Sequence, residues 1–144
     1  MKFDNEVMIR FKAKSVNESF ARSAVAAFVL QADPTIEEMN DIKTAVSEAV
    51  TNCIVHAYQN EEEFIEMTCG IINEVIHISI ADLGKGISDI QQAMQPFYTT
   101  KPEDERSGMG FTVMETFMDT LEVESNTPKG LIVKMTKKIG KSSD

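Results

Sequence analysis

A carboxylate and a carboxamide stand four residues apart, as Glu48 and Asn52, in the stretch KTAVSEAVTNCIVHAY at residues 43–58. This spacing stacks two side chains on one side of a helix, and the apolar residues of the stretch centre on Val46, which points the other way. The pattern predicts a helix that presents a proton-accepting group and a hydrogen-bonding amide together, away from the core. A solvated polar helix face has the same pattern, so both interpretations stay open at this point.

A second candidate group follows a predicted strand, where Asp82 is succeeded by Gly84 and Gly86. Glycines at the end of a strand let a backbone approach a ligand closely. Ordinary tight turns use the same residues, so this motif alone does not separate a ligand site from a turn.

A third candidate is the segment RSGMGF, in which Gly108 and Gly110 lead into an apolar helix that runs to Phe117. The first N–H groups of a helix are free, and the helix dipole is positive there, so such a turn is suited to bind an anion. The alternative is an ordinary junction between a loop and a helix.

Composition limits the classes of function. The 144 residues predict one domain, residues 1–144, and the net charge of −9 argues against a nucleic-acid partner and favours basic partners or a metal-chelated anion. The longest apolar run, residues 24–30, is too short to span a membrane, and the polar start MKFDNE does not resemble a signal peptide. We therefore expect a cytoplasmic protein without membrane contact.

Both cysteines are predicted to be reduced core residues, as is usual in that compartment. A zinc site that combines Cys53 and Cys69 with His56 and His77 is the lesser alternative, because the spacing matches no zinc signature.

The periodicity of apolar residues predicts eight elements that position these groups. Capping boxes are expected at Ser15 with Glu18 and at Thr35 with Glu38. The residues between 87 and 107 show no sustained period, and a loop of that length indicates a functional lid or a disordered segment; residues 139–144 form a polar tail. The predicted strands are residues 7–14, 64–72, 75–81, 121–124 and 131–138, and the predicted helices are residues 15–30, 35–58 and 108–117. In the first strand, the residues expected to face inward are Val7, Ile9, Phe11 and Ala13. In the first helix, the expected apolar stripe is Phe20, Ala24, Ala27 and Phe28.

Taken in this order, the motifs resemble the ATP-binding domain shared by gyrase-type topoisomerases, the ninety-kilodalton heat-shock chaperone, histidine kinases and mismatch-repair MutL proteins. The resemblance covers nearly the whole chain. It implies an α+β fold, a two-layer sandwich with helices on one face of a mixed, mostly antiparallel sheet.

A closer resemblance is to the bacterial anti-sigma factors that are small serine kinases. It rests on SEAVTN at residues 47–52, PFYTTK at 96–101 and RSGMGFTVMETFMD at 106–119. These segments are most similar to the sporulation branch, which acts on sigma F, with the stress-response branch, which acts on sigma B, as the alternative.

The resemblance implies a binding site for ATP or ADP with Mg²⁺. Glu48 would be the general base, Asn52 the magnesium ligand, and Asp82 the acceptor for the adenine amino group. Family members often carry threonine after the last glycine, where this chain has Leu131, which would weaken adenine binding unless another group substitutes. The remaining expected site residues are Gly84 and Gly86 at adenine, Gly108, Gly110, Ser107 and Met109 at the phosphates, and Thr99, Thr100, Lys101 and the catalytic Arg106 in the lid.

The resemblance also implies partners. A homodimer would hold a sigma factor inactive and phosphorylate an anti-anti-sigma protein on serine. Arg22 is a candidate contact for a protein partner, because it projects off the apolar stripe of its helix. Two other functions remain open, a non-catalytic module whose binding is controlled by ATP, and an ATPase without a protein partner.

Overall fold

The structure is a computed structural model that describes residues 2–57, 63–82, 110–125 and 130–140. Helices and strands follow one another in the chain without a repeating β-α-β unit, as expected for an α+β fold. The elements are β1 (Asn5–Lys12), α1 (Val16–Val29), a 3₁₀ turn (Leu30–Ala32), α2 (Ile36–Ala57), β2 (Phe64–Ile72), β3 (Val75–Asp82), α3 (Gly110–Phe117), β4 (Thr120–Ser125) and β5 (Leu131–Lys138).

The five strands form one sheet in the order β1-β2-β3-β5-β4, and each of its four pairings is antiparallel. The predicted hairpin between β2 and β3 is confirmed, since Asn73 and Glu74 both adopt positive φ, 51° and 66°, as a two-residue turn of this kind requires. The mostly antiparallel sheet of the sequence analysis is thus the one observed.

The core lies between the sheet and the helices. Alternate residues of β2 and β3, such as Met67 and Ile80, are buried together with the apolar stripe of α2. That stripe is centred on the buried Val46, as predicted, and both cysteines are free and buried, also as predicted. Ile139, which was expected in the polar tail, is buried too, and its N–H binds the carbonyl of Glu74.

The predicted stripe of α1 is confirmed at Phe28 and in part at Ala24, which packs against the core, and is wrong at Phe20 and Ala27. Helix α1 buries Ala21, Val25, Phe28 and Val29, whereas Phe20 is 53% exposed. The ring of Phe20 lies edge-to-face with the ring of Phe11, with 6.4 Å between their centroids.

Strand β1 lies at the edge of the sheet and begins two residues earlier than predicted. Phe11 and Ala13 face inward as expected, but Val7 is 43% exposed. The inward alternation therefore holds only for the part of β1 that meets the core.

One of the two predicted capping boxes is confirmed. The N–H of Thr35 donates to Oε1 of Glu38 at 2.9 Å, and the N–H of Glu38 donates to the hydroxyl of Thr35 at 3.0 Å. The box at Ser15 is wrong, because Ser15 caps α1 without a side-chain hydrogen bond. Its expected partner Glu18 instead points to Arg22, with 3.6 Å between Oε2 and Nε.

Lys137 joins β5 to two helices. Its Nζ donates to the carbonyl of Phe117 at the end of α3, at 2.8 Å, and lies 3.5 Å from Oδ2 of Asp41 in α2. A cation at a helix C-terminus is stabilised by the helix dipole.

None of the described helices combines the length and the apolar character that crossing a membrane requires.

The free energy of unfolding should fall as the pH rises above about 9. Burial raises the pKa of the Cys69 thiol from 9.0 to about 12, so the folded chain holds this proton more tightly than the unfolded chain. The stabilisation is complete below the unfolded pKa and is lost as the pH rises toward the folded pKa. Between about pH 8 and about pH 10.5 the loss is about 2 kcal/mol for this thiol.

Urea unfolding of the parent and of Cys69→Val at these two pH values measures that loss. The fall in unfolding free energy between the two pH values should be smaller in the variant by about 2 kcal/mol. The effect of valine on packing is the same at both pH values, so it does not change this difference. Equal falls in the two proteins would contradict the pKa assignment.

Candidate functional site

The carboxamide of Asn52 is buried where α2 meets the first residue of α3. The side chain is 1% exposed, and its Nδ2 has no hydrogen-bond partner among the described residues. A Cβ atom on Gly110 would overlap Nδ2 and lie 3.0 Å from Cγ, so the side chain of Asn52 keeps this position only beside a glycine. An unsatisfied buried amide costs about 1–3 kcal/mol, which a ligand that accepts its hydrogen bond would offset.

The N-terminus of α3 adds further donors at the same place. Its first backbone N–H groups have no partner within the helix, and the helix dipole is positive at this end. Together with the amide of Asn52, these N–H groups are a set of hydrogen-bond donors suited to bind an anion such as a phosphate.

The second part of the site is the carboxylate of Asp82, which is fully buried at the last residue of β3. The thiol of Cys53 in α2 donates a hydrogen bond to it. Burial, followed by the charge of Asp82 and this hydrogen bond, raises the pKa of the Cys53 thiol well above its ordinary value. The thiol therefore remains protonated and acts as a donor that orients the carboxylate.

Gly130, the residue directly before β5, packs closely against Asp82. Gly130 has a φ of +96°, and a Cβ atom there would overlap the carbonyl oxygen of Asp82 and lie 2.6 Å from its Oδ1. Glycine is therefore required for two reasons, its backbone conformation and the space it leaves. The next residue, Leu131, is buried in the core and supplies no hydroxyl to the site.

Glu48 lies one turn before Asn52 on α2 and is partly buried. It lines a groove between α1 and α2 that also contains Arg22. The alternative of a solvated polar face does not hold at Asn52, because the start of α3 packs against this side chain and it is buried.

The structure thus brings together some of the predicted site residues. Asn52 contacts Gly110, and Asp82 contacts Cys53, the residue directly after Asn52. Glu48 and Arg22 line one groove. The others lie outside the described residues, as does the predicted lid at 87–107: Gly84, Gly86, Thr99, Thr100, Lys101, Arg106, Ser107, Gly108 and Met109.

Two residues of the site were not predicted as part of it. Cys53 was expected in the core, with a zinc site as the lesser alternative, although its position directly after Asn52 was the available signal for a role at Asp82. Gly130 was noted only for the residue that follows it. Its role requires the pairing of β3 with β5, which joins residues far apart in the chain.

The chain is similar to known proteins over nearly its whole length. The model of the family described as the histidine kinase-like ATPase domain matches residues 11–137. The chain is 58% identical over 142 residues to an anti-sigma F factor of Caldanaerobacter subterraneus subsp. tengcongensis, covering 99% of each chain. It is 57% identical over 136 residues to an anti-sigma F factor of Clostridium beijerinckii, covering 94% of this chain and 95% of the relative.

Solved structures show the same fold at low sequence identity. The RsbU and RsbW domains of a Mycobacterium tuberculosis protein align with a TM-score of 0.68 and 14% identity, over 94% of this chain and 32% of that one. The catalytic domain of the histidine kinase ThkA aligns with a TM-score of 0.61 and 14% identity, over 96% and 97% of the two chains.

Proposed function

The chain belongs to the histidine kinase-like ATPase domain family and, within it, to the anti-sigma F factors, and from this premise we propose that it is an ATP-dependent anti-sigma factor. In this proposal, a homodimer holds a sigma factor of the sigma F type inactive. It also acts as a serine kinase on the anti-anti-sigma protein that displaces the sigma factor.

The observation that carries the nucleotide site is the buried amide of Asn52 against the start of α3. Carboxamide oxygens are suitable Mg²⁺ ligands, so Asn52 would hold the metal through Oδ1 while Nδ2 donates to a phosphate oxygen. Gly110, with Gly108, Ser107 and Met109 before it, would supply backbone N–H groups to the phosphates.

Asp82 would accept a hydrogen bond from the adenine amino group, with Gly84 and Gly86 leaving room for the base. The contacts of Asp82 with Cys53 and Gly130 support this role, because they orient a buried carboxylate. Family members often have a threonine beside this aspartate, at the position of Leu131. In this chain the Cys53 thiol, from α2, would be the side chain that assists Asp82.

Bound Mg-ATP would supply the phosphoryl group, and the residues of the chain would position and activate the acceptor. Glu48 would take the proton of the serine hydroxyl as the serine oxygen bonds to the terminal phosphorus and the bond from that phosphorus to ADP breaks. Arg106 and Lys101 would stabilise the charge on the transferred group, and Thr99 and Thr100 would bind the nucleotide beside them.

Purified sigma F and anti-anti-sigma proteins from the same genome test the proposal. We expect the chain to retain the sigma factor on a column in the presence of ATP and to transfer labelled phosphate to a serine of the antagonist. ATP-dependent binding without transfer would favour the non-catalytic module, and retention of sigma B instead would favour the stress-response branch. Failure to bind either partner would overturn the proposal.

A further inference from the structure

Helix α3 is held against α2 at both of its ends. At its start, Gly110 lies so close to the buried amide of Asn52 that a Cβ atom would overlap Nδ2. At its end, the carbonyl of Phe117 accepts a hydrogen bond from Nζ of Lys137, which lies 3.5 Å from Oδ2 of Asp41 in α2. Asp41 precedes Asn52 in α2, so the two helices run in opposite directions and are joined at two separate points.

A short helix separates these two points. Helix α3 rises about 10.5 Å from Gly110 to Phe117, at 1.5 Å per residue. A helix of this length moves as one body, because the backbone hydrogen bonds join each of its turns to the next. A change in the position of Phe117 is therefore transmitted to Gly110 and to the hydrogen-bond donors beside it.

The contact at the end of α3 is shielded from solvent. The side chain of Lys137 is 13% exposed and that of Asp41 is 22% exposed, whereas the ion pair of Lys134 and Glu124 is about half exposed on both sides. A hydrogen bond from a charged donor is stronger where less water surrounds it. The shielded contact can therefore fix a backbone group, while the exposed pair contributes little to the fold.

The residues that follow α3 are attached to β5 at the same end. The N–H of Asp119 donates to the carbonyl of Thr136 at 2.9 Å, and the N–H of Lys138 donates to Oδ2 of Asp119 at 2.8 Å. Lys137 extends this attachment to the helix itself, through the carbonyl of its last residue. The end of β5 is thus the fixed base from which α3 reaches the candidate nucleotide site.

We propose that Lys137, held by Asp41, is a positioning residue for the phosphates of the bound nucleotide. It sets where α3 lies along α2, and so the distance between the first N–H groups of α3 and the amide of Asn52. A phosphate group must reach both sets of donors at hydrogen-bond distance, which leaves a tolerance of about 0.5 Å. The inference rests on the proposed nucleotide site and goes beyond it, because it assigns phosphate affinity to a residue at the opposite end of α3.

Binding of ADP and of adenosine to the full chain, measured by calorimetry with Mg²⁺ present, tests this role. In Lys137→Met the affinity for ADP should fall at least about fivefold, because displaced donors form longer and weaker hydrogen bonds with the phosphates. The affinity for adenosine, which has no phosphates and would be bound through Asp82, should stay within about twofold. A merely structural role would lower both affinities together or neither, so the ratio of the two affinities decides.

Three further variants complete the test. Lys134→Met makes the same change earlier in β5 and should leave both affinities unchanged, because it removes only the exposed pair with Glu124. Lys137→Arg keeps a cation that donates hydrogen bonds and should recover most of the lost ADP affinity. Asp41→Asn keeps the bond to Phe117 but holds Lys137 less firmly, so the affinity for ADP alone should fall about two- to threefold.

The outcomes separate this role from the proposed function. The positioning role would be overturned by equal ratios of ADP to adenosine affinity in the parent, Lys137→Met and Asp41→Asn, or by a Lys137→Arg variant no better than Lys137→Met. Urea unfolding shows which variants are folded, and if Lys137→Met is not, the ratio in Asp41→Asn decides alone. A parent that binds neither ligand would overturn the proposed nucleotide function itself.

Discussion

Glu48→Gln should lower the rate of phosphate transfer to the anti-anti-sigma protein by at least about a hundredfold, because general base catalysis contributes about 10²- to 10⁴-fold. Glutamine keeps the size of the side chain and its place in the groove but does not accept the hydroxyl proton. The affinities for ATP and for the sigma factor should stay within a few-fold of the parent. Single-turnover transfer measures the rate, and calorimetry measures the two affinities.

The matched control is Glu37→Gln, which makes the same change in the first turn of the same helix. It should transfer phosphate as the parent does. An undiminished rate in Glu48→Gln would eliminate this residue as the base. An equal collapse of ATP affinity would mean that the carboxylate serves the metal or the fold.

Asp82→Asn should weaken ADP binding by about 1.5–3 kcal/mol, the usual worth of a hydrogen bond to a charged group. The substitution keeps the size that the contact with Gly130 requires, and the amide oxygen still accepts a hydrogen bond from the Cys53 thiol. The fold should therefore be retained, with the loss confined to adenine recognition. Calorimetry with ADP, and with a phosphate compound that lacks the base, separates these two contributions.

Asp33→Asn is the control for this variant, since it changes the net charge equally at the end of the 3₁₀ turn. Its φ of 55° is one that asparagine adopts readily, so stability should not suffer. If Asp82→Asn and Asp33→Asn bound ADP with the same affinity, Asp82 would not be the adenine acceptor.

Local signals predicted most of the fold. The alternation in β2 and β3, the turn at Asn73 and Glu74 and the capping box at Thr35 each depend on residues close in sequence, and the structure contains all three. In α1, Phe28 is buried as predicted, but hydrophobicity also favoured the ring of Phe20, which is exposed, over Ala21, which is buried. Which side of a helix is buried depends on its neighbour, and that information is not local.

The site was predicted only as residue types. The spacing of Glu48 and Asn52 indicated that they share one side of α2, but the burial of Asn52 depends on Gly110, which is 58 positions later in the chain. The role of Gly130 likewise depends on a strand pairing that brings it to Asp82. Such long-range contacts follow from the completed sheet and helix layer, and no local pattern specifies them.

Asn52 and Cys53 are joined by a single peptide bond, which sets the distance between their Cα atoms at about 3.8 Å. One extra residue inserted in α2 ahead of Asn52 would rotate both residues by about 100° around the helix axis. The contact with Gly110 and the contact with Asp82 would then be lost together, whereas an insertion at the turn of Asn73 and Glu74 would leave both in place. The register of α2 therefore sets both contacts together. It fixes the separation between the donors at Gly110 and the carboxylate of Asp82, and a molecule that binds both groups at once must match that separation.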